Sequence, residues 1–209
     1  MKAATKFFII CALLVTASCA KGNGISMMPY SSKSDWPGEF QLCHGFSCSE
    51  KSLVTLDEKQ WNKVAAVFKK PAKTPEKERE QIVKAIAILE AEATKDAKLN
   101  PDFGEANTFE NDQAQMDCID EAINTTHYLE FLDEAGLLKH HDAAPPIHRG
   151  FLVDGQWPHN SGAVKEKESG EIYAIDSYYF DSGKPPAIVP IDTWLDEWRP
   201  ANLPPRRRS

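Results

Sequence analysis

The sequence predicts an α+β fold: a small antiparallel sheet packed against a helix that carries a cysteine at its N-terminus, with additional helices before it. Three observations predict it. Apolar residues recur at helical spacing in three segments between Thr55 and Gly136. After Leu137-Leu138 the period changes to short strand-like runs separated by glycine-containing turns. Between these regimes, Gln115-Met116-Asp117-Cys118 opens the third helical segment with a thiol in its first turn.

Residues 1–20 read as an export signal. Two lysines lie in the first six residues, Phe7 to Val15 is wholly apolar, and Thr16-Ala17-Ser18-Cys19-Ala20 supplies small residues for cleavage. The apolar run is too short for a membrane-spanning helix, and no later stretch is apolar for long enough. Ala17-Ser18-Cys19 matches the end of a lipobox apart from Thr16, where a large aliphatic is usual. Two outcomes follow, ordinary cleavage near Ala20 or lipidation of Cys19, and Ala20 after the cysteine favours the outer over the inner membrane if Cys19 is lipidated. The expected location is the periplasm or a lipid-anchored place in the envelope.

Residues 21–37 are rich in Gly, Ser and Lys and read as a leader arm. A single globular domain is expected over residues 38–200, followed by a basic tail at 201–209. With 42% apolar residues and a net charge of -7, the chain has enough material for one full core and no basic surface that suggests nucleic acid. Arg206-Arg207-Arg208 follows Pro204-Pro205 at the end and reads as a solvated terminus. Oligomeric state is left open by these features.

The elements follow in order. Cys43-His44-Gly45-Phe46-Ser47-Cys48 spaces two cysteines for a short disulfide loop in an oxidising compartment. Thr55-Leu56-Asp57-Glu58 has a capping-box pattern and opens a helix through Trp61, Val64, Ala65 and Phe68. Thr74-Pro75-Glu76 starts a second helix, carrying Ile82, Val83, Ile86 and Leu89. Asn100 to Asp112 is punctuated as a loop. The third helix starts near Asp117, carries Ile119, Ile123, Tyr128, Leu129 and Leu132, and stops at Gly136. Pro145-Pro146 reads as loop, and Arg149 to Gly155 as a short strand ending in a turn. Ser161 to Lys165 and Glu171 to Asp176 form a hairpin. Placing Lys165 opposite Gly170 across a four-residue loop sets His159 directly opposite Asp176, on the same sheet face. Ile191 to Trp198 ends the domain as a short helix on the sheet.

Cys11 leaves with the signal, Cys19 is removed or lipidated, and Cys43 and Cys48 are expected to form a disulfide, the rival being a metal site with His44, so Cys118 is left without a disulfide partner. A thiol in the first turn of a helix faces unsatisfied amides and the positive end of the dipole, which favour a thiolate and a developing oxyanion. Asp117 and Asp120 oppose that effect. A histidine within reach would take the thiol proton, and a carboxylate on the far ring nitrogen would hold the imidazole in the useful tautomer. In chain order, Cys118, His159 and Asp176 supply these three groups. The Cys118 amide, with Gln115 or Trp157 as a second donor, is the candidate oxyanion site. His140, His141 and His148 are irregularly spaced, with no acidic or cysteine pair to complete a ligand set, so no metal and no cofactor is expected.

A cysteine at a helix start, a helix ending in Gly136-Leu137-Leu138, a histidine opening a strand and an aspartate ending the next resemble the transglutaminase-like branch of papain-fold cysteine enzymes. The resemblance covers Gln115 to Tyr178, about a third of the chain. Ser161 stands where an aromatic is common, and Asp117 where a glycine is common. The resemblance implies Cys118 as nucleophile, His159 as base and Asp176 as orienter of a hydrolase or acyltransferase acting on an amide or peptide bond, with an envelope protein or peptide as substrate. Two rival readings keep the fold without the activity: a binding or scaffold protein that uses the cleft for an envelope partner, and a module whose Cys43–Cys48 loop is its interaction surface.

Overall fold

The computed structural model describes residues 39–106, 112–150 and 158–203. The expected signal, Cys19, the leader arm, the Arg206–Arg208 cluster, Trp157 and all but the first two residues of the strand expected over Arg149 to Gly155 lie outside the described residues. Within them the chain is mixed α+β, with two small antiparallel sheets and four helices.

The first sheet is a hairpin that the spacing of Cys43 and Cys48 did not reveal. β1 (Glu39–His44) pairs with β2 (Glu50–Thr55), and the Cys43–Cys48 disulfide closes its turn. The backbone from Gly45 to Cys48 is left-handed at four successive residues, with φ of 74°, 67°, 56° and 56°. Three of these carry side chains, a conformation that costs L-residues roughly 1–2 kcal/mol each. The disulfide and a set of bonds to the third helix hold the turn in place.

α1 (Glu58–Val67) begins two residues later than the Thr55 capping box implies. Thr55 is committed to the hairpin opposite Glu39, so Asp57 caps instead, accepting from the Gln60 amide at 2.7 Å while its own amide donates to Gln60 Oε1 at 2.8 Å. α2 (Pro75–Asp96) starts as expected, with Thr74 as cap and Pro75 at the first helical position. α3 (Cys118–Glu134) is capped by Asp117 and ends where Gly136 takes φ +64° and the Leu137 amide donates back to the Leu132 carbonyl at 3.0 Å.

The second sheet has the order β3-β4-β5-β6, from His141–Arg149, His159–Glu166, Ile172–Asp176 and Ala187–Pro190. The sheet departs from the sequence pattern in two places. The Pro145-Pro146 segment is not a loop but part of β3, where the register shifts between Ala144 and Ile147 and so accommodates residues that cannot donate to the ladder. The β4–β5 hairpin is also displaced: Lys165 faces Ile172, not Gly170. The four-residue loop is Lys167 to Gly170, because Gly170 adopts φ +74° inside the turn and the Glu166 amide donates to Glu171 O at 2.8 Å. The slip is two residues, and two residues preserve the facing of every side chain. His159 and Asp176 are therefore diagonal neighbours rather than directly opposite. α4 (Ile191–Leu195) follows β6 and ends before Trp198.

The two faces of this sheet are covered differently. Val164, Tyr173 and Ile175 join Ile82, Ile86 and Leu89 of α2, Tyr128, Leu129 and Leu132 of α3, and Phe40, Leu42 and Val54 of the hairpin in the main core. On the other face Ile147, Ala163, Ala174 and Val189 gather around Trp194 of α4. Gly162 lets α3 approach β4: a Cβ there would lie 2.6 Å from Thr125 Cγ2 and 3.0 Å from its Cβ. Thr125 is β-branched and buried, with little room to yield. Gly162→Ala is expected to lower stability by about 1–3 kcal/mol in urea unfolding, and a neutral result would mean that α3 can withdraw from β4 at no cost.

Among the described residues no helix is long and apolar enough to cross a membrane.

Candidate active site

The disulfide hairpin grips the start of α3. Asn124 exchanges hydrogen bonds with the Cys43 backbone, donating to its carbonyl and accepting from its amide, each at 2.8 Å. The Gly45 amide donates to the Gln115 carbonyl at 2.9 Å, the Ser47 amide to Asp117 Oδ2 at 3.0 Å and the Cys48 amide to Asp120 Oδ1 at 2.6 Å. Asp117 also accepts from the Ile119 and Asp120 amides through Oδ1, and its carbonyl takes the Glu121 amide. The Cys118 amide is the first-turn donor that Asp117 does not take up, and the Cys118 thiol is free and half-buried beside it.

His159, the first residue of β4, is buried. Its Nε2 lies 2.8 Å from Asp176 Oδ2, and the Cys118 thiol is near enough to the ring to favour its charged form. With Nε2 turned to Asp176, Nδ1 is the ring nitrogen left for the sulfur. The same Asp176 oxygen accepts from Trp194 Nε1 at 2.8 Å, so the carboxylate is held from two sides. Tyr178, Tyr179 and Trp194 enclose the imidazole with ring centroids 5.2, 5.4 and 5.6 Å away. Burial works against an imidazolium here, but the Asp176 charge and hydrogen bond, with the Cys118 thiol, outweigh it and push His159 up to about 9. The surroundings therefore favour the charged imidazole at neutral pH.

Four buried acids, two of them in α3 itself, are held above the ordinary carboxylate range. Burial, opposed by the Gly183 amide, pushes Glu90 of α2 up to about 7. Burial, with the charges of Glu90 and Asp120, pushes Asp102 up to about 8, although its Oδ1 accepts from the Met116 amide at 2.7 Å. Burial and the charge of Asp117 push Asp120 up to about 7. Burial and the charges of Glu90, Asp102 and Asp120 raise Glu121 well above the usual carboxylate range. Protonation of Asp120 weakens the opposition that its position in the first turn offers to a thiolate. Among the described residues no group of three or more His, Cys, Asp or Glu side chains is arranged to hold a metal ion.

Compared with protein families, with curated proteins and with solved structures, the chain gives no match.

The structure brings Cys118, His159 and Asp176 together and pairs Cys43 with Cys48. It does not turn Gln115 to the thiol. That carboxamide is buried and spent on the preceding loop, with Oε1 accepting from the Phe103 amide at 2.9 Å and Nε2 donating to the Pro101 carbonyl at 3.2 Å. Two polar side chains that the sequence did not single out are at the site instead. Trp194 donates its indole N–H to Asp176, and Asn160 places Nδ2 3.8 Å from Cys118 Sγ. The only signal for Asn160 was its place next to the histidine.

Proposed function

We propose that the chain is an exported, envelope-associated cysteine hydrolase or acyltransferase of the transglutaminase-like kind, acting on amide or peptide bonds of an envelope protein or peptide. The observation that carries this reading is the single imidazole hydrogen-bonded to the Asp176 carboxylate with the Cys118 thiol beside it, near enough to favour its charged form. An isolated half-buried cysteine has no need of such a partner, and a buried structural histidine has no need of a thiol.

In the proposed reaction the Cys118 sulfur, its proton held on His159, attacks the carbonyl carbon. The Cys118 amide receives the developing oxyanion at the positive end of α3. His159 then gives its proton to the departing amine, leaving a thioester on Cys118. Water or an amine, deprotonated by His159, releases the acyl group and restores the thiol. Asp176 keeps Nε2–H in place throughout, and Trp194 keeps Asp176 in place. The Cys43–Cys48 disulfide fits an oxidising compartment, consistent with export by the N-terminal signal and, where Cys19 is lipidated, with attachment to the outer membrane.

The test uses a small activated ester. Incubated with p-nitrophenyl acetate and read by intact mass, the wild-type protein is expected to gain one acetyl group that hydroxylamine removes. Cys118→Ala gains none and His159→Ala gains it much more slowly. Acetylation equal in wild type and His159→Ala overturns the reading.

A further inference from the structure

We infer that Asn160 is a further catalytic residue of this site, its carboxamide donating to the Cys118 sulfur, and that His148 is the positioning residue that sets which end of the carboxamide the sulfur meets. The inference rests on the proposed thiol chemistry of Cys118. It also draws on a hydrogen-bonded arm that the Cys118–His159–Asp176 set does not use.

The arm runs across β3 and β4. His148 and Asn160 are register partners in the ladder. Asn160 Nδ2 reaches Cys118 Sγ at 3.8 Å, and Asn160 Oδ1 lies 3.1 Å from His148 Nδ1. His148 Nε2 lies 2.8 Å from the Gly150 carbonyl. A carbonyl oxygen only accepts, so Nε2 carries a hydrogen. What Nδ1 does then decides the orientation of the carboxamide. In the arrangement with Asn160 Nδ2 toward the sulfur, Oδ1 accepts from Nδ1–H, and both ring nitrogens donate. This is the imidazolium form of His148. In the neutral ring Nδ1 is bare and takes a hydrogen from the carboxamide, which turns Oδ1 onto the sulfur. An N–H donor stabilises a thiolate, whereas a carbonyl oxygen in the same place repels it and instead accepts from the S–H of the thiol. A hydrogen on His148 Nδ1 and a negative charge on Cys118 therefore favour one another through Asn160.

Charged groups on the neighbouring elements are engaged as follows. On β3 the neighbouring Arg149 donates to Tyr179 Oη at 3.1 Å and to the Trp198 carbonyl at 2.8 Å. On β4 His159 is bound to Asp176. On α3 Asp117 is occupied by the helix-start amides and Ser47, and Asp133 accepts from the Ala143 amide at the far end of β3.

The experiment is the rate of Cys118 alkylation by iodoacetamide from pH 5 to 9 in wild type, His159→Ala, Asn160→Ala, Asn160→Asp, His148→Leu and His148→Gln, with thermal unfolding of each to show that it is folded. Asn160→Ala and His148→Leu are expected to slow labelling at pH 6 by about tenfold, the effect of one charge-assisted hydrogen bond, and to move the half-maximal rate to higher pH. Asn160→Asp, an acceptor only, moves it further. His148→Gln, which still offers an N–H to Asn160, restores the wild-type profile. A merely structural role would lower thermal stability without moving the profile. If His159→Ala moves the profile and the Asn160 variants do not, the inference falls while the thiol reading stands. If no variant moves it, both fall.

Discussion

Cys118 is expected to be alkylated by iodoacetamide at pH 6 at least ten times faster than a free thiol in the same buffer. An ordinary thiol, with a pKa near 8.5, is then almost wholly protonated. The expectation follows from His159, which is pushed up to about 9 with the Cys118 thiol among the causes, so the thiol proton has a resting place beside the sulfur. His159→Ala removes that resting place and is expected to return the rate at pH 6 to that of a free thiol. Asp176→Ala acts through His159. It removes the charge and the hydrogen bond that overcome burial, so the imidazole loses its proton at lower pH, and labelling at pH 6 to 7 is expected to fall severalfold. Labelling that appears only on unfolding would mark Cys118 as a buried structural thiol and favour the binding-protein reading.

The second large effect is on stability. Glu90, Asp102, Asp120 and Glu121 are buried together, and each is raised above its ordinary range, to about 7, 8 and 7 for the first three. A carboxyl whose pKa is higher folded than unfolded keeps a proton that the unfolded chain has released. Its contribution is fully present below about 4 and is lost as pH rises through the folded value. His159 acts in the same direction, since its folded value lies above the usual 6.5, and its contribution is lost as pH rises toward 9. The melting temperature is therefore expected to be highest near pH 5 and to fall by roughly 10 °C or more by pH 8.5, at about 3 °C per kcal/mol for a chain of this size. Glu121→Gln removes one of the coupled acids and is expected to flatten that decline and to stabilise the protein at pH 8.5. A melting temperature that is level or rising over this interval would mean that these carboxyls are ionised in the folded protein.

Much of this arrangement was legible in the sequence, and the reasons differ by residue. Thr74-Pro75 and Gly136 marked helix ends because local backbone chemistry decides them, and Cys118 was placed in its first turn on the same ground. The facing of His159 and Asp176 survived a hairpin slip of two residues because sheet facing depends only on parity. What escaped depends on contacts distant in the chain. Thr55 lost its capping role to a strand that begins at Glu39, and Pro145-Pro146 was carried into β3 by pairing with β4. Gln115 was drawn away from the thiol by the backbone of Pro101 and Phe103. The acid cluster draws one member from α2, one from the loop after it and two from α3, and none has a neighbour in sequence that announces its burial.

The short span of the Cys43–Cys48 bridge also governs how the chain sorts its thiols. Among Cys43, Cys48 and Cys118 three pairings exist, and only one leaves Cys118 free. The native pair is separated by 5 residues, whereas either alternative must close a loop of 70 residues or more. For a flexible, unfolded chain that difference in closure entropy favours the native pair by roughly 2 kcal/mol. Mispairing is thus disfavoured from the first encounter with an oxidant, and the thiol at the start of α3 is spared without help from an isomerase.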